Sequence, residues 1–276
     1  MVSHPKNDKS LPDTATTPSA EADARDKSPD RIAAMFDRVA PRYDFLNHFL
    51  SAGIDRRWRR RLVRTLRGRI ASGEILDVAT GTADLAICLA KERYRHADSP
   101  DSRCRGSFPY TVTGIDFSEE MLKIGEEKVR RAHLTDRIAL LKGDALNLPF
   151  EDNRFAASVV AFGIRNMADT DRALSEMIRV TSAGGMVMIL EFSMPTLPGV
   201  AGLYRFYFRS ILPKIGRFFS KGNGASYAYL PASVQAFDTP REMTARMTRL
   251  GLSEVSARRL TLGIASLYQG RKPRER

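Results

Sequence analysis

The sequence predicts an α/β fold of the doubly wound class, built on a mainly parallel sheet. From residue 74 onward, short apolar runs alternate with segments in which apolar residues recur at helical spacing. This alternation is typical of successive βαβ units, whose strands lie parallel. The last two apolar runs, 254–260 and 264–268, have no helical segment between them. They therefore predict an antiparallel hairpin at the end of the sheet.

The first predicted strand leads through a turn of small residues into a helix. Ile75, Leu76 and Val78 form the apolar run of a buried strand, and helical spacing begins at Asp84. At such a turn the backbone can approach a ligand closely, and the helix N-terminus offers free N–H groups. Dinucleotide-binding proteins repeat glycine here, whereas this turn has only Gly81. By itself, the stretch is more typical of an ordinary strand-to-helix turn.

The remaining elements alternate in the same way. Ser118 is predicted to cap a helix after the second strand. A further helix is predicted over 169–179, ended by the small residues 183–185. The polar segment 93–109 is predicted to be a loop insertion. Further strands are predicted over 110–116, 138–145, 157–162 and 186–192.

The chain before the sheet has two parts. Residues 1–28 are polar and charged, which predicts a disordered tail, and residues 29–276 form the folded domain. Within this domain, residues 29–70 predict helices that form a lid over the ligand site. The last of these helices, 55–69, is rich in arginine. Its arginines form either a solvated face on a packed helix or a set of contacts to phosphates.

Composition limits the compartment and the partners. A chain of 276 residues with 43% hydrophobic residues can bury a sizeable core. Cys88 and Cys104 offer neither a disulfide framework nor the spacing of a metal site. The chain has no signal-peptide pattern and no apolar run of the about 20 residues that span a bilayer, which predicts a cytoplasmic protein. The net charge of +12 indicates a polyanionic partner, either nucleic acid or an acidic membrane surface.

Three acids lie near the carboxyl ends of predicted strands, where doubly wound sheets bind their ligands. Asp116 can accept hydrogen bonds from both hydroxyls of a ribose, and Asp144 from an adenine amine, with the Ala145 N–H facing the ring. Asp77 and the Gly81 turn would hold the rest of the ligand. One acid at a strand end is more often a turn residue, but three in register favour a nucleoside site. An acid-lined turn without a nearby Lys or Arg suits the sulfonium of S-adenosylmethionine better than a pyrophosphate.

Several segments carry a resemblance to a known family. They are FDRVAPRYDFLN at 36–47, GIDRRWR at 53–59, DVATGT at 77–82, GDALNLPF at 143–150, FGIRN at 162–166 and LEFS at 190–193. Together they resemble the ring C-methyltransferases of menaquinone and ubiquinone biosynthesis, over about residues 30–272. The resemblance implies a seven-stranded class I S-adenosylmethionine methyltransferase fold, with S-adenosylmethionine as the cofactor. Ala83 departs from it, because the family usually has glycine there, and Ala161 stands where some ubiquinone-type members have serine.

The resemblance also implies a substrate and a set of cofactor contacts. Thr82, Asp116, Asp144 and Ala145 would contact S-adenosylmethionine. The segment 259–268 is more similar to the menaquinone branch, which implies C-methylation of demethylmenaquinol to menaquinol. The nearest alternative is the polyprenyl benzoquinol of ubiquinone biosynthesis, or both substrates. More distant alternatives are an RNA methyltransferase and a non-catalytic subunit that binds S-adenosylmethionine.

Methyl transfer to a hydroquinone ring needs an in-line geometry and a stabilised phenolate. Arg165 and Asn166, just beyond the fourth predicted strand, are expected to stabilise that oxygen or to orient waters that accept its proton. Arg165 keeps its own proton and is therefore not a direct base. The resemblance adds Tyr43, on the lid, to this group. The alternatives are a structural salt bridge for Arg165 and a packed aromatic residue for Tyr43.

A polyprenyl substrate requires an approach to the membrane. Residues 197–225 interleave aromatic and basic side chains, which is typical of a segment at a membrane interface. A dimer face or a helical cover on the core is equally compatible with this pattern. The predicted partners are thus the polyprenyl quinol, the membrane surface and, through such a dimer face, a second copy of the chain, with no nucleic acid. The predicted location is cytoplasmic, peripheral at the inner face of the membrane.

Overall fold

The computed structural model describes residues 53–91, 110–195, 199, 202 and 233–274. The α-helices that lie wholly within these ranges are α1 (Asp55–Arg67), α2 (Asp84–Ala90), α3 (Glu119–Arg131), α4 (Thr170–Val180) and α5 (Pro240–Arg249). The strands are β1 (Gly73–Val78), β2 (Tyr110–Asp116), β3 (Ile138–Lys142), β4 (Phe155–Ala161), β5 (Thr181–Phe192), β6 (Ser253–Leu260) and β7 (Ala265–Arg271).

The strands form one seven-stranded sheet in the order β3-β2-β1-β4-β5-β7-β6. Strands β1 to β5 are parallel, and β7 runs antiparallel to both of its neighbours. The predicted doubly wound fold and its terminal hairpin are therefore confirmed. The strand order reverses between β1 and β4, and such a reversal opens a ligand crevice at the carboxyl ends of the strands.

Each face of the sheet is covered by helices with an apolar side. On one face, Trp58, Leu62 and Leu66 of α1 join the buried residues of α2 and Val129 of α3 in one core cluster. On the other face, Met177 of α4 and Met243 of α5 belong to a second cluster. Both layers keep water away from the central strands of the sheet.

Two helix starts follow the sequence closely. The Ser118 hydroxyl accepts a hydrogen bond from the Met121 N–H (3.2 Å), which confirms the predicted cap of α3. The Asp169 carboxylate accepts one from the Arg172 N–H (2.9 Å) at the start of α4. Each side chain satisfies an N–H that has no partner within its helix.

The third strand is shorter than predicted, because β3 ends at Lys142 and Asp144 heads a separate turn. The Asp144 carboxylate accepts a hydrogen bond from the Leu146 N–H (2.8 Å), and its carbonyl accepts one from the Asn147 N–H (3.1 Å). An acid that binds its own backbone two residues on favours a turn over a strand.

The fifth strand is longer than predicted, because α4 gives way directly to a strand that begins at Thr181. The prediction that 183–185 end the helix is wrong. The pairing between β4 and β5 jumps from Phe155–Thr181 to Ala157–Met186. The extra residues form an irregularity in which Gly184 has φ +79°, a value that glycine adopts without strain.

Helix α5 was not predicted from the sequence, although a signal for it is present. Thr239 and Glu242 form a capping box, with Pro240 in the first turn. This pattern is typical of a helix start. The helix buries only Met243 and Met247, so its apolar periodicity is weak.

Several predicted regions lie outside the described residues. These are the tail 1–28, the lid as far as residue 52, the insertion at 93–109 and nearly all of 197–225. Of the predicted lid, the described part is α1, which packs on the sheet through Trp58, Leu62 and Leu66. None of the helices in the described ranges is long and apolar enough to cross a bilayer.

Candidate active site

A carboxylate at the end of β2 fastens the turn that follows β1. The Gly81 N–H donates to Asp116 Oδ2 (2.7 Å), and the Ser118 N–H donates to Oδ1 of the same carboxylate (2.9 Å). Asp116 therefore joins the β1 turn to the start of α3. A carboxylate oxygen can accept more than one hydrogen bond, so the chemistry of Asp116 also suits the hydroxyls of a ligand.

The backbone at Gly81 borders open space. Its φ is +56°, and a Cβ built there would meet no atom within 4 Å. A ligand can therefore approach the backbone at Gly81 closely, as the sequence predicts.

Ala83 adopts the backbone conformation that glycine favours. Its φ is +64° and its methyl group is fully buried at the start of α2. A Cβ on Gly125 of α3 would lie 3.3 Å from the Ala83 Cβ, so the glycine in α3 leaves room for the extra methyl. The turn thus keeps the left-handed conformation, at the cost of strain that glycine would not have.

Asp77 supports the turn from the core. It is 1% exposed, and Thr80 Oγ1 donates to its Oδ2 (2.7 Å). Burial raises the pKa of Asp77 to about 7, against the lowering effects of the Thr80 hydrogen bond and the charge of Arg59. This carboxyl therefore lies within the protein rather than on the open side of the turn.

Two cations lie beside the turn, contrary to the expectation that no Lys or Arg is near it. Lys128 of α3 donates to Thr82 Oγ1 (3.1 Å) and pairs with Asp84 in the first turn of α2. Arg59 of α1 lies 3.5 Å from the same carboxylate and pairs with Asp55. The sequence does not reveal this network, because its members come from three helices. The charges of the two acids balance those of the two cations.

Asp144 and Ala145 follow β3, beside the end of β2. Asp144 is exposed, and Ala145 is partly buried against the second core cluster. Since β2 and β3 are neighbours in the sheet, Asp144 and Asp116 lie along the same edge.

Arg165 and Asn166 lie in a short 3-10 helix after β4 and are both buried. The Arg165 guanidinium donates to the Phe162 carbonyl (2.6 Å) and to Glu191 Oε1 (2.7 Å), and it lies over the Phe192 ring. The Asn166 N–H donates to the Gly163 carbonyl (3.0 Å). A structural salt bridge was one of the two roles that the sequence allowed for Arg165, and the structure contains it, with Glu191 as the partner.

Glu191 is the residue that the sequence failed to single out. It is fully buried in β5, and its Oε2 also accepts the Arg165 backbone N–H (3.4 Å). Burial raises the pKa of Glu191, while the charge of Arg165 opposes this shift. Its only sequence signal is an acid within an otherwise apolar strand, which requires a partner when buried.

The turn after β1 and the loop after β4 are in contact. A Cβ on Gly163 would come within 2.7 Å of the Ala79 Cβ, so the loop after β4 packs directly on the β1 turn. The Phe162 and Phe192 rings lie 4.7 Å apart, and Trp58 contacts both. Arg165 is thereby fixed beside the turn that holds Gly81. Tyr43 lies outside the described residues.

The crevice fits S-adenosylmethionine. The turn at Gly81 borders open space, a carboxylate such as Asp116 can accept hydrogen bonds from a ribose diol, and Asp144 follows the neighbouring strand, where the sequence predicts the adenine. The seven-stranded sheet with antiparallel β7, together with this site, defines a class I S-adenosylmethionine-dependent methyltransferase.

Comparison with known proteins identifies the family. A family model described as the ubiE/COQ5 methyltransferase family matches residues 24–272. This chain belongs to that family, which confirms the resemblance seen in its sequence. It is a C-methyltransferase with S-adenosylmethionine as its cofactor, and both of these predictions are confirmed.

Individual relatives support the same assignment. The ubiquinone/menaquinone biosynthesis C-methyltransferase UbiE of Geobacter sp. strain M21 is 44% identical over 243 residues, which cover 88% of this chain and 97% of that protein. The demethylmenaquinone methyltransferase of Bacteroides fragilis strain YCH46 is 41% identical over 246 residues, covering 89% and 94%. A solved S-adenosylmethionine-dependent methyltransferase of Thermotoga maritima has a TM-score of 0.56 at 18% identity, covering 87% of this chain and 99% of that one. At that identity the likeness shows the shared fold.

Proposed function

We propose that this chain methylates a ring carbon of demethylmenaquinol to give menaquinol. The observation that carries the proposal is the buried guanidinium of Arg165, held at the end of β4 beside the Gly81 turn. A fixed cation next to the cofactor crevice suits a reaction in which a ring hydroxyl becomes a phenolate. A relative named demethylmenaquinone methyltransferase and the similarity of 259–268 to the menaquinone branch support this substrate.

The cofactor is held by the edge formed by the ends of β1, β2 and β3. Thr82 and the Gly81 turn receive its amino-acid end, Asp116 the ribose hydroxyls, and Asp144 with Ala145 the adenine. When bound, S-adenosylmethionine supplies an electrophilic methyl group on a sulfonium. The packing of Gly163 on Ala79 keeps the loop after β4 in register with this edge, which favours alignment of ring carbon, methyl and sulfur.

Arg165 acts as an electrostatic stabiliser. Its guanidinium stays protonated and attracts the negative oxygen that develops on the ring. Asn166 orients the water that takes the hydroxyl proton, and Tyr43 completes this group from the lid. Asp77 shapes the turn through Thr80 without contacting the cofactor directly.

The nearest second candidate is the ring methylation of the polyprenyl benzoquinol in ubiquinone biosynthesis. It is favoured by relatives whose names join the two pathways. An RNA methyltransferase is disfavoured, because Phe-Gly-Ile-Arg-Asn at 162–166 replaces the Asn/Asp-Pro-Pro-aromatic motif common in enzymes that methylate base amines.

A direct assay separates these substrates. The purified chain is incubated with labelled S-adenosylmethionine and either reduced demethylmenaquinone or the reduced benzoquinone, and product masses are measured. We expect methyl transfer to demethylmenaquinol. Turnover of the benzoquinol alone would show that the benzoquinol, and not demethylmenaquinol, is the substrate. Cofactor binding without any turnover would point to a non-catalytic subunit. Because a polyprenyl quinol resides in lipid, we also propose that the enzyme works peripherally at the inner face of the cytoplasmic membrane.

A further inference from the structure

We propose that one side of the domain docks on an anionic phospholipid surface. The contact consists of the arginine face, defined as Arg56, Arg57, Arg60 and Arg64 of α1 with Arg258 of β6, and of the exposed side chain of Leu262. The inference deepens the proposed function, on which it rests for a substrate dissolved in lipid. It assigns the surface through which the enzyme reaches that substrate.

Helix α1 divides its side chains sharply between core and solvent. Trp58, Leu62 and Leu66 are buried, and the arginines of the arginine face are exposed. Arg57, Arg60 and Arg64 recur at spacings of three and four residues, so they project from one side of the helix. The outer surface of α1 is therefore a continuous basic stripe.

The acids near this stripe are engaged elsewhere. Asp55 pairs with the buried Arg59, and Glu254 pairs with Arg69 (3.0 Å) and Arg271 (3.1 Å). Within the described ranges, no ion pair joins a member of the arginine face to an acid. Neighbouring guanidinium groups on a helix repel one another, and a polyanion would relieve this repulsion. Arginine also matches phosphate geometrically, through two parallel hydrogen bonds.

Arg258 extends the stripe onto the edge of the sheet. It lies directly opposite Leu267 in the pairing of β6 with β7. Leu267 belongs to the core cluster that contains Trp58, and opposite residues of an antiparallel pair share one face. Arg258 and α1 are therefore on the same side of the sheet.

An exposed leucine lies in the turn that Trp58 of α1 contacts. Leu262 is 64% exposed, in the short 3-10 turn Thr261–Gly263 between β6 and β7. Its φ of +57° is one that leucine rarely adopts. The turn is nevertheless fixed, because Trp58 Nε1 donates to Thr261 Oγ1 (2.8 Å) and Ser193 Oγ donates to the Gly263 carbonyl (2.8 Å). The protein thus holds an apolar side chain outward beside α1.

An exposed leucine and an arginine face on the same helix-covered side of the sheet fit a lipid surface better than a nucleic acid. A phospholipid surface offers phosphates to the arginines and acyl chains to the leucine, whereas a duplex offers phosphates alone. The Leu262 turn also lies at the same edge of the sheet as the candidate active site. Leu260 and Phe192 pair with the same residue of β7, Ala265, so the Leu262 turn lies at the edge where β5 ends and Glu191 holds Arg165.

The test compares the binding of the full chain to vesicles of phosphatidylcholine alone and of phosphatidylcholine with phosphatidylglycerol. We expect binding to the anionic vesicles only. Arg60→Gln/Arg64→Gln should lower the partition coefficient about 20-fold at low salt. Arg241→Gln/Arg249→Gln on α5 removes the same charge from the opposite face and should change it little. Leu262→Asn should also weaken binding without destabilising the fold, because asparagine tolerates a left-handed backbone.

Three results would overturn the proposal: equal binding to both vesicle types, unchanged binding of Arg60→Gln/Arg64→Gln, or arginine-dependent binding to a duplex RNA probe without vesicle binding. The same proteins are assayed for methyl transfer to a short-chain, water-soluble quinol. Wild type and Arg60→Gln/Arg64→Gln should turn it over equally. If no protein does so while the vesicle results hold, the proposed function fails and the docking surface stands.

Discussion

Arg165 and Glu191 form a buried ion pair that ties the loop after β4 to the end of β5. Glu191 is fully buried and accepts hydrogen bonds from both the side chain and the backbone of Arg165. One carboxylate thus sets the position of both the guanidinium and the loop that carries it. In the proposed reaction, Arg165 contacts the substrate oxygen and Glu191 is its positioning residue.

Removing one partner of this pair should destabilise the protein strongly. We expect Glu191→Gln to lower the free energy of unfolding by about 3 kcal/mol, because the charge of Arg165 then stays buried without a carboxylate. Adding Arg165→Met should cost less than the sum of the two single changes, by about 2 kcal/mol. Urea unfolding of the four proteins in this cycle measures both quantities. Additive changes would show that the pair is not coupled.

Arg165→Met should lower kcat by about 100-fold and leave the Kd for the cofactor nearly unchanged, since the guanidinium stabilises charge that exists only in the transition state. Arg154→Met is a control for the loss of an arginine–glutamate pair at a more exposed position. Arg154 also pairs with a glutamate, Glu74 (2.9 Å), and also lies over an aromatic ring, but at the opposite end of β4. The Arg154→Met variant should keep the wild-type kcat. A weaker Kd for cofactor with unchanged kcat in Arg165→Met would contradict the assigned role.

The buried Asp77 makes stability depend on pH. The pKa of Asp77 is about 7 in the folded protein, which exceeds the usual aspartate value. Its neutral form therefore adds its full contribution to the free energy of unfolding below about pH 4, and this contribution falls as the pH rises towards 7. Asp77→Asn removes this dependence. Between about pH 5 and pH 8, the free energy of unfolding of the wild type should fall by about 3 kcal/mol relative to that of Asp77→Asn. Urea unfolding at both pH values measures this difference, and parallel stability curves would show that Asp77 is already ionised.

The sequence predicted the parts of the site that depend on local pattern. Gly81, Asp116 and Asp144 come from a turn and from strand ends, which short periodicities locate. Asp144 was nevertheless assigned to a strand, because a periodic pattern does not show where the neighbouring strand stops. The methyl of Ala83 was recognised as unusual, and only the structure shows that Gly125 makes room for it.

The parts that the sequence missed depend on contacts between distant segments. Glu191 meets Arg165, and Arg59 meets Asp84, only after helices and strands have packed. A single sequence carries no signal for such pairs beyond an acid in an apolar strand or an arginine on the inner side of a helix. Lys128 reached the turn in the same way, which made the expectation of a turn free of cations wrong.

Gly81→Ala separates the strain of the turn from the approach of the cofactor. The backbone at Gly81 is left-handed, so alanine should lower the free energy of unfolding by about 1 kcal/mol. The new methyl would also enter the open space assigned to the ligand, so the Kd for S-adenosylmethionine should rise at least 10-fold. Titration calorimetry and urea unfolding measure the two effects.

Gly251→Ala is the control for this change. Gly251 follows α5, has φ +95° and also has no atom within 4 Å of a built Cβ. It should therefore show a similar loss of stability with no change in cofactor affinity, because α5 packs on β6 and β7, away from the turn after β1. If both variants bind S-adenosylmethionine as tightly as the wild type, the cofactor does not lie against Gly81. If both lose affinity equally, the effect comes from stability, and the open face of the turn is not the binding surface.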